Sequence, residues 1–218
     1  MVRYRGPRVK IVRRLGHIGP LPGLTQKLIP RQRQRRPQKP SKFAVRLMQK
    51  QRLRYHYGLS ERQLVNYIKK ARRMGGSTSD QLFLQLEARL DNMIFRLNLA
   101  PTIASARQLV THGHIEVNNQ RINCPSYSCK PDDKISVKDS PKSQKLVKEQ
   151  LKSDYTKTEV TSQRPLRQPR LPPNVTFNKT DLTAVVRSNI RRDWIGLPMK
   201  SKVQDRYIVE YYARRGGR

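Results

Sequence analysis

No acidic residue occurs before Glu61, and over its 218 residues the chain sets 47 Lys and Arg against only 15 Asp and Glu. A formal net charge of +32 repels itself in any compact state, so this composition suits a fold that sits beside a polyanion. RNA, DNA, an anionic membrane or an acidic protein would each serve, and charge does not choose among them. An apolar fraction of 35% keeps any core modest and leaves much of the chain as surface or tail. No run of about 18 apolar residues is present to form a transmembrane helix, and the basic N-terminus lacks the apolar stretch of a secretory signal. A transit peptide fits poorly: Gly6, Pro7, Gly16, Gly19, Pro20, Pro22 and Gly23 would break an amphipathic helix, and no Ser precedes Ser41. The two cysteines, Cys124 and Cys129, cannot staple a chain of this size and suit a reducing compartment.

Residues 1–40 read as a basic arm broken by Pro and Gly. Arg3, Arg5, Arg8, Lys10, Arg13 and Arg14 form one cluster and Arg31, Arg33, Arg35 and Arg36 a second. With so few apolar side chains the arm is expected to stay extended and to order only on a partner. Helical signals start at Ser41, where Phe43, Leu47 and Met48 supply an apolar stripe and Gly58 a stop. Ser60 and Gln63 have capping-box spacing ahead of Leu64, Val65 and Ile68. After Ser79, the residues Leu82, Phe83, Leu86, Leu90, Met93, Ile94 and Leu97 keep a helical period, which predicts one continuous helix of about four turns. Pro101 ends it, Thr102 caps a short helix carrying Ile103, Ala106, Leu109 and Val110, and Gly113 closes that helix. The period then becomes two. Ile115 and Val117 lead into an Asn118-Asn119 turn with a return over residues 120–122, and Pro131-Asp132-Asp133 precedes the alternating Ile135 and Val137. Residues 138–173 are rich in Lys, Ser, Gln and Pro, with an exposed helix expected around residues 143–152. Val175 and Phe177 alternate again, and Trp194 and Tyr207–Tyr212 lie near the end.

Several stretches can be quoted together: Glu87 to Asn98 (EARLDNMIFRLN), Ser105 to Asn118 (SARQLVTHGHIEVN) and Pro125 to Lys130 (PSYSCK). They resemble the small RNA-binding module named after the fourth protein of the small ribosomal subunit. Tyr4 to Arg8 (YRGPR), Arg13 to Gly16 (RRLG), Leu21 to Thr25 (LPGLT), Lys50 to Gln63 (KQRLRYHYGLSERQ) and Val209 to Ala213 (VEYYA) resemble the same ribosomal protein family outside that module, closest to its chloroplast-encoded form. The resemblance is weak only over about residues 138–175. Asn119, where Gly is usual, and Asp132-Asp133, where a Gly-Asp pair is common, depart from the family's usual turn residues.

The resemblance implies an α+β protein: a split α-helical domain, an inserted RNA-binding module of short helices plus a small antiparallel sheet, and the extended basic N-terminal arm. The expected divisions are 1–40 for the arm, 41–86 for the first helical segment, 87–177 for the inserted module, with 137–175 poorly defined, and 178–218 for the second helical segment. Trp194 and the final tyrosines are expected in the helical core. The family is a structural constituent of the small ribosomal subunit and not an enzyme. It binds a multi-helix junction of small-subunit rRNA, nucleates assembly of the subunit body, and sits beside neighbouring small-subunit proteins on the side where mRNA enters, with mRNA itself a further partner. Chloroplast ribosomes are the expected location, with the bacterial cytoplasm or mitochondrion as alternatives.

RNA helices hide their bases in a deep, narrow groove and are read through phosphates and 2′-hydroxyls, a task for spaced Arg and Lys rather than aromatic stackers. Aromatics make up 6% of this chain. Arg89, Asn92 and Arg96 fall one turn apart on the flank opposite the apolar stripe. Arg107 and Gln108 lie near the start of the next helix, and His112 and His114 flank Gly113. These, the first arm cluster, Arg62, and the stripe Arg46, Lys50, Arg52 and Arg54 are the expected rRNA contacts, the stripe being the one nearest mRNA. A solvated helix face is the competing reading for Arg89, Arg96 and the stripe. A nuclear-localisation or DNA-binding tail is the competing reading for the arm clusters. No cofactor or metal is expected. His112, His114, Cys124 and Cys129 lack the Cys-x-x-Cys spacing of a zinc knuckle. Arg89-Leu90-Asp91 resembles part of the pseudouridine synthase motif, but no catalytic domain remains to hold Asp91, which is expected as a surface or helix-stabilising carboxylate.

Overall fold

The computed structural model describes residues 6–15, 24, 41–160, 171–188 and 202–213, and for residues 152–160 and 202–205 the backbone only. The chain divides into two compact units, one of Met1–Phe83 with Gly196–Arg218 and the other of Leu84–Ile195.

The first unit contains Arg8–Leu15 (α1), Lys42–His56 (α2), Glu61–Arg73 (α3), the start of Thr78–Glu87 (α4), and Lys202–Ala213 (α8). α1 corrects the expectation of an extended arm. Pro7 and Gly16 bracket this helix instead of interrupting it, and a proline is tolerated at a helix start, where its missing N–H has no partner to lose. Val12, Leu15 and Leu24 form a buried cluster packed against Ile11, Met48 and Tyr55, while Arg8, Lys10, Arg13 and Arg14 stay exposed. Few apolar residues suffice because α2 supplies the other side. Arg3, Arg5 and the second arm cluster lie outside the described residues.

Local chemistry sets the helix ends. The Ser41 hydroxyl accepts from the Ala44 N–H at 3.2 Å. Ser60 and Gln63 form the reciprocal capping box, at 3.3 Å and 3.1 Å. Gly58 and Gly75 take φ of 59° and 73° where the chain leaves α2 and α3. Of the stripe expected on α2, Met48 packs against the α1 cluster but Phe43 is 61% exposed, and Gln49, Lys50 and Arg52 are buried with Leu53 and His56.

The second unit holds Leu90–Arg96 (α5), Ile103–Thr111 (α6), Pro141–Val160 (α7) and a five-stranded antiparallel sheet. Its strands are Ile115–Val117 (β1), Gln120–Arg121 (β2), Lys134–Val137 (β3), Val175–Asn178 (β4) and Thr183–Val186 (β5), in the order β2-β1-β3-β5-β4. Ile115, Val117, Ile135, Val137, Ala184 and Val186 alternate into the buried side. Asn118 and Asn119 turn the β1–β2 hairpin with φ of 52° and 61°, both in the left-handed region that such a turn requires. The module boundary expected at 177/178 is moved, because β5 lies beyond it and pairs with both β3 and β4. Period-two alternation over four residues was too short to be separated from loop. α7 is longer than the helix expected at 143–152, and it buries Ser143 and Val147 rather than lying wholly exposed. Trp194 lies outside the described residues. Among them, no helix is long and apolar enough to cross a membrane.

Candidate nucleic-acid interface

The helix expected to run unbroken to Leu97 breaks at Arg89. That residue takes φ −67° and ψ 139°, an extended conformation that ends α4 and starts α5. The break is stabilised from a distance. The Leu90 N–H donates to the Tyr127 carbonyl at 2.8 Å, the Asp91 N–H to the Pro125 carbonyl at 3.2 Å, and the Cys129 N–H to the Ala88 carbonyl at 2.7 Å. Donors that a helix start leaves without intrahelical partners are thereby satisfied by the 125–129 loop. Apolar periodicity continues through the break, so the sequence alone gives no sign of it.

Two ion clusters form there, and they correct the expected roles of four residues. Arg89 grips Asp91 through two bonds, Nε at 3.0 Å and Nη2 at 2.7 Å. Arg107 Nε donates to the same carboxylate at 2.7 Å. Next to them, Arg96 grips Glu87 at 3.1 and 2.7 Å, and Asn92 Nδ2 donates to Glu87 at 2.7 Å. Arg89, Asp91, Asn92, Arg96 and Glu87 are all buried. Arg89, Asn92 and Arg96 are therefore internal brackets and not an RNA-facing flank, and Asp91 is a buried bridging carboxylate and not a surface one. Two-pronged guanidinium–carboxylate geometry is what makes such burial tolerable.

The outer edge of α6 and the hairpin remain open. Gln108, Thr111 and His112 are exposed at the C-terminal end of α6. Thr102 caps the other end by accepting from the Ser105 N–H at 3.3 Å. Gly113 follows α6 with φ +73°, and a Cβ built there would fall inside the Arg121 guanidinium. Arg121 therefore lies flat against a residue that must lack a side chain, with its Nε donating to Asn123 Oδ1 at 3.1 Å. His112 and His114 lie with ring centroids 6.1 Å apart, and His114 Nδ1 bonds Ser143 Oγ at 2.9 Å. Burial holds the His114 pKa below its ordinary 6.5, and the positive charges of His112, Lys138 and Arg121 lower it further. That charge crowding marks a site where an anion is favoured.

Asp133 steadies the neighbouring turns. It accepts from the Lys130 N–H at 2.8 Å and from Asn118 Nδ2 at 2.9 Å, and Asn118 Oδ1 accepts from the Lys134 N–H at 2.8 Å. Asn119 and Asp132, the two residues that stand where the family usually has Gly, take φ of 61° and 70° in these well-bonded turns.

In the first unit the α2 stripe is turned inward. Arg46 Nε donates to Glu210 at 2.7 Å, and Lys50 Nζ meets both Glu61 oxygens at 2.9 Å and sits 4.8 Å from the Tyr211 ring centre. Arg54 lies 3.7 Å from Glu61. Arg52 is buried, and this burial pulls its guanidinium down to about 10. Burial alone would raise the Glu61 pKa, but hydrogen bonds from Tyr212 (2.6 Å) and Lys50, with the Lys50 and Arg54 charges, outweigh it and hold the carboxyl below its ordinary 4.5. In the expected mRNA-side stripe Lys50 and Arg52 are thus buried, while Arg46 and Arg54 stay partly exposed beside acids. Of its acids, Glu61 stands on the next helix and Glu210 lies 164 positions from Arg46, so spacing along α2 could not reveal them.

Sequence reasoning missed two sets of cations. α3 exposes Arg62, Lys69, Lys70, Arg72 and Arg73 while burying Leu64, Ile68 and Ala71, and of these only Arg62 was singled out. Its amphipathic period was the available signal. Arg121, Lys134 and Lys138 around the hairpin form the second set, and two- to four-residue strands give too little pattern to orient them. Among the described residues, no three His, Cys, Asp or Glu side chains are grouped to hold a metal.

Short helices capped against a small antiparallel sheet, with a cationic helix end and hairpin, define an RNA-binding module joined to a helical unit. Residues 88–135 match the family described as S4 domain, and residues 3–87 match Ribosomal protein S4/S9 N-terminal domain. The small ribosomal subunit protein uS4c of Guillardia theta is 45% identical over 221 residues, spanning 99% of this chain and 100% of that protein. Its counterpart in Ricciocarpos natans is 45% identical over 219 residues, at 98% and 99%. Small ribosomal subunit protein uS4 of a Cyanothece species is 43% identical over 222 residues, at 99% and 100%. The chain belongs to the ribosomal protein S4 family.

Proposed function

We propose that the protein is a structural, non-enzymatic constituent of the small subunit of chloroplast ribosomes, binding small-subunit rRNA alongside other ribosomal proteins. Membership of the S4 family and the near-complete span shared with uS4c proteins support this reading. The observation that carries it furthest is the cation cluster at the end of α6: Arg121 laid against Gly113, with His112, His114 and Lys138 beside it. Arg offers phosphate a planar two-pronged grip, and the cluster needs no base contact to bind.

Each unit carries its own exposed cations, α3 on one and the α6–hairpin edge on the other. Two faces can hold two RNA helices at once, which is the requirement for nucleating a multi-helix junction. On the same reasoning α3, and not the α2 stripe, is the surface available to line the side where mRNA enters. Arg8, Lys10, Arg13 and Arg14 on α1 add a further exposed basic face. Of the residues expected to touch rRNA, the exposure of Arg62, Gln108 and His112, and the partial exposure of Arg107 and His114, support that role.

Salt titration of full-length protein on a small-subunit rRNA transcript tests this. With about eight phosphates engaged, log affinity against log salt falls with a slope on the order of −6 to −7. A flat dependence overturns the electrostatic reading. Sedimentation through high salt with small subunits tests the ribosomal assignment separately, and a protein found only off the ribosome overturns it.

A further inference from the structure

We infer that Ser143 is a positioning residue for RNA binding, one that fixes the His114 ring so that Nε2 is presented to a phosphate; this rests on the rRNA-binding reading above. Two histidines flank Gly113, and they are held differently. His112 is exposed at the end of α6, whereas His114 is half-buried and anchored three times. The His114 N–H donates to the Leu109 carbonyl at 3.0 Å, its carbonyl accepts from the Lys138 N–H at 2.9 Å, and its Nδ1 bonds Ser143 Oγ at 2.9 Å. Ser143 is 3% exposed and stands one turn before Val147 at 1%, so the bonded edge of the ring faces inward. The part of the ring left open is the edge away from Nδ1, and Nε2 lies there.

A hydroxyl both donates and accepts, so Ser143 can meet Nδ1 whether the imidazole is neutral or charged. In both states Nε2 can then carry the proton that a phosphate oxygen accepts. A carboxylate in place of Ser143 would instead hold a proton and a counter-charge on the inner edge. Charge points the same way. Besides its burial, what acts on His114 is the positive charge of His112 at the end of α6, Lys138 after β3 and Arg121 on β2. α7 brings it the neutral Ser143, with Lys142 next to that residue exposed. Buried bases elsewhere meet an acid, as Arg96 meets Glu87, Arg89 meets Asp91 and Lys50 meets Glu61. Among the described residues His112, His114, Arg121 and Lys138 have no such ion pair. An anion from outside completes the cluster, and a ring ordered beforehand spares the cost of fixing it on binding.

Filter binding of full-length variants to a small-subunit rRNA transcript tests the inference, with a salt series at about pH 5.5 and another at about pH 8, either side of the ordinary histidine range. His114→Asn keeps an amide near Nδ1 for Ser143 but has no group at Nε2. At the lower pH it is expected to lose about tenfold in affinity, as for one charge-assisted hydrogen bond. Its log–log slope should flatten there by about 0.7 to 0.9, the share of one phosphate, and match the wild-type slope at the higher pH, where the ring is neutral. Ser143→Ala frees the ring and is expected to lose about threefold to tenfold at the lower pH, less at the higher pH, and nothing further in the His114→Asn background. If Ser143→Ala does not fold by circular dichroism, Ser143→Cys is read in its place, since a thiol is close in volume and a weak hydrogen-bonding group. Wild-type affinity and slope at the lower pH in His114→Asn, or wild-type affinity there in the Ser143 variant, overturns the inference. So does a Ser143 loss that is equal at both pH values or adds in full to His114→Asn, which is what a purely structural docking of α7 would give. A wild-type protein whose binding ignores salt at both pH values overturns the parent reading instead.

Discussion

Replacing Gly113 with alanine separates backbone strain from RNA contact at the centre of the proposed interface. Gly113 sits at φ +73°, where an L-residue other than glycine carries a steric penalty of about 1–2 kcal/mol. The new Cβ also falls inside the Arg121 guanidinium, which must swing away and give up its bond to Asn123. That exposed bond adds about 0.5 kcal/mol. The sum is about 2 kcal/mol, or about 8 °C in Tm for a cooperative unit of about a hundred residues. Differential scanning calorimetry reads the stability loss, and rRNA filter binding over a salt series reads the contact. Loss of Arg121 from the contact set should flatten the salt slope by about 0.7 to 0.9. Gly113→Asn is the informative partner, because Asn tolerates left-handed backbone but still carries a Cβ. It should recover part of the stability and none of the affinity. An alanine variant with unchanged affinity and slope refutes Arg121 as a phosphate contact, and an unchanged Tm refutes the strain argument.

Tyr212→Phe removes the 2.6 Å bond to Glu61 and is expected to cost about 1–2 kcal/mol by urea denaturation. The Glu61 carboxyl is held below its ordinary 4.5, so its contribution is complete above that pH and is lost as pH falls through the lower folded value. Glu61→Gln should flatten the acid limb of the stability profile, and an unaltered limb would assign acid sensitivity elsewhere. Burial first, and then the charges of His112, Lys138 and Arg121, hold the His114 pKa below its ordinary 6.5. A phosphate beside it would offset the charge part, so binding takes up a proton and rRNA affinity should rise as pH falls below that ordinary value. The same titration with His114→Asn should lose that component. Cys124 is exposed, whereas Cys129 is buried with its thiol pushed up to about 12 by that burial and by Asp133 and Asp91. Iodoacetamide mapped by mass spectrometry should therefore label Cys124 in the native protein and Cys129 only after unfolding.

Some of this architecture was legible because it is written locally. Ser41, the Ser60–Gln63 box and Thr102 cap helices where their spacing says they should. Gly58 and Gly113 end helices, and Asn118-Asn119 turns a hairpin, because each solves a backbone problem within a few residues. The α4–α5 break at Arg89, the helix α1 and the strand β5 were not legible. The first is sustained by carbonyls of the 125–129 loop, the second by Met48 and Tyr55, and the third by pairing with β3 and β4.

The same division runs through the candidate interface. The sequence by itself determined that the protein must meet a polyanion, since 47 cations against 15 acids leave no other way to neutralise it. It could not say which cations face outward. Tertiary structure decided that, by bringing scarce acids to particular bases: Glu61 to Lys50, Glu210 to Arg46 across 164 positions, Asp91 to Arg89 and Arg107, and Glu87 to Arg96. An ion pair forms between groups adjacent in space, and helical spacing reports only neighbours along one helix. Arg89 and Arg96, which look exposed on a helical wheel, are therefore drawn inside by Asp91 and Glu87, while Arg62, Arg72 and Arg73 on α3 stay outside.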